Sequence, residues 1–222
     1  MKSFDQILLK ISIVFSVSYL FAPFLFGEQP ETYWLPNAMI KTLSIALLAL
    51  IAFRNNAYLL GCGLLLGSLG DLMLALPFGL FVYGLAAFLV GHLVYITLWV
   101  RHWKNPLELT FNQKLITSLL FFFTLFMLNY LLPLEGGLTV PVAVYMIVIT
   151  AMAMTAVMAG FSCNWILMGA ILFVISDTLI ALGRFKHVVT GLTSGFLVWS
   201  TYYLAQYLIT LGYFHSVQYD EG

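Results

Sequence analysis

The sequence predicts an all-α integral membrane protein of eight transmembrane helices in one polytopic domain, residues 1–222. Three observations lead there. Of 222 residues, 62% are hydrophobic and only 8% charged, whereas a soluble domain carries about 25% charged residues to wet its surface. The apolar residues fall in long continuous runs, and a helix needs about 20 of them to cross lipid. A membrane β-barrel would show short segments of alternating character instead, and the runs do not alternate.

Polar residues, prolines and glycines cut these runs into spans at 7–26, 37–54, 57–76, 78–100, 113–133, 140–159, 164–182 and 190–212. The first is too long for the apolar core of a signal peptide and lacks a small-residue cleavage site, so it is a span. The second opens after Pro36 and closes at Arg54, and the third follows Asn55-Asn56. Pro77 separates the third from the fourth, which closes before Arg101. The fifth begins at Gln113 and ends at Pro133. The sixth lies between Gly137 and Gly160, the seventh between Cys163 and Gly183, and the eighth between Val189 and Tyr213. The two shortest connections, at Leu76-Pro77 and Gly160–Cys163, make the helices on either side antiparallel neighbours.

Nine basic and nine acidic residues cancel, which argues against nucleic acid as a partner. Cys62 and Cys163 have no metal-type spacing and apolar or small neighbours, so neither a structural disulfide nor a zinc site is expected. Lysines and arginines near span ends orient a membrane protein. With the N-terminus inside, Lys2, Lys10, Arg54, Arg101, Lys104 and Lys114 are cytoplasmic, against Arg184 and Lys186 outside. The expected location is the bacterial inner (cell) membrane, multi-pass, with both termini cytoplasmic.

Two spans carry an aspartate. A charge at mid-bilayer costs roughly 2.5–3.5 kcal/mol on insertion scales, so Asp71 and Asp177 need a reason. Aligning them superposes "GDLMLAL" on "SDTLIAL", and the following spans superpose "AAFLVGHLVY" on "SGFLVWSTYY". A duplication on this pattern would divide the chain into two parallel four-helix repeats.

Small residues one turn either side of Asp71, Gly67 and Ala75, also suit close helix packing. Asp177 has Arg184 two turns on, which suits a simple ion pair. Lys41 lies five residues into the second span, where it either snorkels to the headgroups or serves a site. In the expected topology Lys41, Asp71, Asp177 and Arg184 all fall in the outer half of the membrane, the sharpest constellation in the chain. His92 and Tyr95 share a helix face at i, i+3, as do Tyr203 and Gln206; each is a substrate-contact candidate or a packing residue. His102, His187 and His215 lie near span ends, no His/carboxylate cluster forms, and no metal or cofactor is expected.

Other motifs fail. "GCGLLLG" lies in a lipid span with no strand before it, so it is no nucleotide loop. "GLTSG" has Thr193 where a nucleophile elbow has serine. Ser68-Leu69-Gly70-Asp71 only partly matches the GxGD of intramembrane aspartyl proteases, and Ser176 precedes the second aspartate where they have tyrosine.

From Lys41 to about Gly212 the sequence resembles the YhhN family of eight-span membrane proteins, which includes bacterial and animal lysoplasmalogenases. "GSLGDLMLAL", "GLAAFLVGHLVYI", "GAILFVISDTLIALGRF" and "TYYLAQYLI" carry the resemblance. Thr42 follows Lys41 where the family often has proline. The resemblance implies hydrolysis of the vinyl ether bond of lysoplasmalogens, to a fatty aldehyde and glycerophosphocholine or glycerophosphoethanolamine. It also implies that Asp71 and Asp177 carry the catalysis.

The chemistry suits two carboxyl groups. A vinyl ether resists nucleophiles but hydrolyses once its β-carbon is protonated, giving an oxocarbenium ion that water captures. One carboxyl must donate the proton and one carboxylate must stabilise the cation or activate water, as in glycosidases. Asp71, among glycines and leucines, is the expected acid, and Asp177, nearer Arg184, the expected anion. Lys41 and Arg184 are expected to hold the lipid phosphate. A proton-coupled transporter would use paired membrane carboxylates equally well and is the alternative.

Overall fold

A computed structural model describes residues 3–26, 30–103, 108–161 and 163–220. Lys2 and Lys104, used in the charge count, lie outside them. The order is α1 (Ser3–Phe26), α2 (Pro30–Arg54), α3 (Tyr58–Ala75), α4 (Phe81–Val100), α5 (Phe111–Leu131), α6 (Thr139–Met158), α7 (Trp165–Lys186) and α8 (Gly191–Asp220). Among the described residues there is no strand. All but α8 are long and apolar enough to cross a membrane; α8 is the longest but is interrupted by Thr, Ser, Gln and His side chains. The chain is a multi-pass membrane protein. Helix starts at 3, 30, 58 and 81 recur at 111, 139, 165 and 191, so the repeat spacing read around the aspartates extends to all four helices of each half.

The helices gather into two compact units, Met1–Val94 and Tyr95–Gly222, with α4 passing from one to the other. In the first, Leu60, Leu64, Gly67, Ser68 and Asp71 form the buried stripe of α3, the recurrence of a helix with one packed face. Ser68 Oγ donates to the Thr42 carbonyl on α2 at 2.9 Å, and Ser12 Oγ on α1 donates to the Ser44 carbonyl at 2.6 Å. Bonds of this kind are worth about 0.6 kcal/mol each in membranes, so they fix register more than they supply stability. Arg54 Nε and Asn55 Nδ2 both donate to buried Asp5 at 3.0 Å. On α4, Phe88 takes the space beside Gly70, where a Cβ would come within 2.6 Å of its ring.

In the second unit the Thr124 and Thr150 hydroxyls meet at 2.6 Å between α5 and α6. α7 and α8 approach most closely where a Cβ on Gly169 would lie 2.7 Å from the Ala205 carbonyl oxygen. A Cβ on Gly212 would lie 2.9 Å from the Ile166 nitrogen. Backbone atoms cannot give way, so only glycine permits this approach.

Several boundaries differ from the sequence expectation, each for a local reason. α4 begins at Phe81 rather than 78 because Gly79 turns the chain at φ 68°. α5 begins at Phe111, ahead of 113, because Thr110 and Gln113 form a capping box that satisfies the first amides. α7 runs past 182 to Lys186, ending on left-handed His187; Arg184 and Lys186 occupy its last turn, where cations oppose the helix dipole. α8 continues through Gly212, since that glycine serves close packing rather than a stop.

Candidate active site

In the first unit, Lys41 and Asp71 meet. Lys41 Nζ lies 3.0 Å from Asp71 Oδ1, with the two side chains 16% and 3% exposed. Lys41 therefore does not snorkel: it turns inward to a carboxylate. Ser68, one turn before Asp71, is bonded to the carbonyl of Thr42, the residue after Lys41. That bond sets the height of α3 against α2 and so places the two charges together. His92 is also buried in this unit, one turn beyond Phe88 on α4.

In the second unit, Tyr145 on α6 donates its hydroxyl to Asp177 Oδ2 on α7. Asp177 is half-buried and follows Ser176, whose Oγ donates to the Val198 carbonyl on α8 at 3.0 Å. Arg184 lies exposed two turns on. Tyr95 donates to Gln206 Oε1 at 2.7 Å, and the Gln206 amide reaches Tyr202 Oη at 3.4 Å. Tyr95 and Gln206 are fully buried, so these two candidates form one internal network that ties α4 to α8. Tyr203 is half-buried and stacked on Trp199.

The structure puts a cation on Asp71, expected among glycines and leucines, and a phenol on Asp177. Lys41, expected to hold the lipid phosphate, pairs with the Asp71 carboxylate. Sequence reasoning missed Tyr145. The helix order held a clue: α6 directly precedes the helix carrying Asp177, as α2 directly precedes the helix carrying Asp71. Each aspartate then receives a polar side chain from the helix before its own.

Removing one partner of a buried ion pair leaves the other charge uncompensated, at about 3–5 kcal/mol. Lys41→Met is therefore expected to lower thermal stability in detergent sharply. Lys41→Met combined with Asp71→Asn removes both charges and should recover most of the loss. A single variant as stable as the parent would show that the pair does not form.

The YhhN family model matches residues 37–213. A protein named lysoplasmalogenase from Mycobacterium bovis is 32% identical over 155 residues, 68% of this chain and 58% of the relative. The chain thus aligns with under two thirds of that relative's length. Lysoplasmalogenase TMEM86B of Rattus norvegicus is 32% identical over 85% of this chain and 76% of its own. The Homo sapiens protein of the same name is 30% identical, over 82% and 80%. No solved structure matches.

Proposed function

The chain belongs to the YhhN family, and from that premise we propose that it is a lysoplasmalogenase, cleaving the vinyl ether of a lysophospholipid to a fatty aldehyde and the glycerophospho-alcohol. The observation that carries this reading is a pair of intramembrane carboxyl groups in different settings, one ion-paired and one bonded to a phenol. Unequal environments are what separates an acid from a base of the same residue type.

The roles follow from the partners. Asp71, with an ammonium 3.0 Å away, is the fixed anion of the pair. Asp177 is the proton donor. Its Oδ2 accepts from Tyr145, so the carboxylic acid form carries its proton on Oδ1. That proton goes to the vinyl β-carbon, and the ether oxygen's lone pair stabilises the resulting cation. Water then adds to the α-carbon, the vinylic carbon attached to oxygen, and loses a proton to the Asp177 carboxylate, which restores the acid. Collapse of the hemiacetal moves its hydroxyl proton to the glycerol oxygen as the carbon–oxygen bond breaks, releasing the aldehyde and the glycerophospho-alcohol. Net proton consumption is zero.

Both termini are assigned to the cytoplasm on the charge bias of Lys10, Arg54, Arg101 and Lys114. This places the aspartates toward the outer leaflet of the cell membrane.

Purified protein in proteoliposomes is expected to release aldehyde from lysoplasmalogen and to leave the ester and saturated-ether analogues intact. Neither analogue forms an oxocarbenium ion on simple carbon protonation. Fatty acid from the ester would make it a lysophospholipase. No aldehyde, together with proton uptake driven by a solute, would favour the transporter.

A further inference from the structure

We propose that the groove between α5 and α7 holds the hydrocarbon chain of the lipid substrate, with the vinyl ether end at Asp177 and the chain terminus at Ile116 and Ile171. The assignment rests on the lysoplasmalogenase reading above and specifies how the chain is held.

The two helices run the same way. At their C-terminal ends Lys186 Nζ lies 5.3 Å from the centre of the Tyr130 ring, and their N-terminal ends line a common cavity of about 570 Å³. Between these ends is a second cavity of about 480 Å³, bounded by Phe123 and Leu179 at one end and Ile116 and Ile171 at the other. From Ile116 to Phe123 the helix rises roughly 10 Å.

Every lining side chain but one is hydrocarbon. The exception, Thr178, donates its hydroxyl back to the Val174 carbonyl at 2.7 Å, which satisfies its polar group within the helix. Such a wall has no donor for a headgroup and suits methylenes.

Polarity rises at each end. Thr178, at the upper end, is the neighbour of Asp177, and Arg184 and Lys186 stand beyond it in the last turn of α7. An amphiphile with an anionic headgroup fits this order: phosphate by the cations, the reactive bond by the carboxyl, the chain in the groove. At the lower end Ile116 also borders the other cavity, whose wall includes Asn112, Gln113 and Asn164. A chain longer than the groove would enter polar surroundings, so the groove limits length as well as binding the chain.

The test needs no turnover. Two saturated-ether lysophosphatidylcholines, one with a diazirine at the chain terminus and one with it near the glycerol, are photolysed with the wild-type protein in proteoliposomes. Terminal adducts are expected on Ile116 and Ile171, and proximal adducts on Phe123 and Leu179. Adducts without that order, spread over the lipid-facing Phe121, Phe122 and Phe126, would overturn the proposal.

A second measurement uses Ile171→Trp, which fills the lower end. The ratio of kcat/KM for long-chain over short-chain lysoplasmalogen should fall about tenfold or more, the scale on which an apolar pocket discriminates methylenes. An unchanged ratio in an active variant would also overturn it. Ordered adducts with no aldehyde from the parent would remove the enzyme reading and leave the groove as a lysolipid chain site. Aldehyde with disordered adducts would do the reverse.

Discussion

Asp71→Asn and Asp177→Asn are each expected to lower kcat by about 10²–10⁴-fold, the usual contribution of a positioned acid or base. The amide keeps the shape of the carboxyl but neither donates an acidic proton nor carries the anion. The two losses should differ in kind. At position 177 the acid itself is gone, while Tyr145 can still bond to the amide oxygen, so the fold is kept. At position 71 the loss also strands Lys41, whose ammonium then lacks the carboxylate now 3.0 Å away, and stability falls with activity. Tyr145→Phe leaves the Asp177 carboxyl in place and should cost less than Asp177→Asn. Assays at saturating lysoplasmalogen, beside thermal unfolding of each variant, separate these cases. Near-normal kcat in either asparagine variant would return that aspartate to a packing role.

The fold was legible because lipid is a strict solvent. Backbone groups in hydrocarbon must be bonded within the segment, so a long apolar run can only be a helix, and α3 and α6 deviate from their predicted spans by a residue at either end. Ends set by chemistry outside the apolar run were not legible that way. The capping box at Thr110 lies in polar sequence.

The site was legible in its charges and not in its pairings. Asp71, Asp177 and Lys41 stand out because charge in lipid is costly. Which cation meets which carboxyl depends on the height of one helix against its neighbour. That height is set by bonds such as Ser68 to the Thr42 carbonyl, which no spacing within a single helix reveals. Packing between helices gave Lys41 to Asp71. Tyr145 was passed over because a tyrosine in a span most often anchors at the interface or packs. Tyr95 and Gln206 were each noticed for a polar neighbour on the same helix face, and their groups bond to one another across two helices.

Turnover in heavy water should place one deuterium on the methylene that the vinyl β-carbon becomes, the carbon next to the aldehyde carbonyl. If Asp177 protonates that carbon, the proton comes from a carboxyl in exchange with solvent, and the new carbon–hydrogen bond must carry the solvent isotope. The rate should fall as well, because carbon protonation is normally the slow step of vinyl ether hydrolysis and the transferred hydron is then in flight in the transition state. The later steps do not disturb the label: water adds to the neighbouring carbon, and hemiacetal collapse breaks only carbon–oxygen and oxygen–hydrogen bonds. Direct displacement by an enzyme nucleophile would leave an enol that takes up the same solvent hydron only after the slow step, so it would give the label without the isotope effect on the rate. Aldehyde trapped at once as a hydrazone, to limit exchange through the enol, and weighed by mass spectrometry counts the deuterium, and turnover rates in light and heavy water distinguish the two routes. Residual turnover of Asp177→Asn adds the assignment to a residue: if Asp177 is the donor, what remains should keep the label at a much lower rate. A turnover rate unchanged in heavy water would remove the acid role from Asp177 even where vinyl ether cleavage is confirmed.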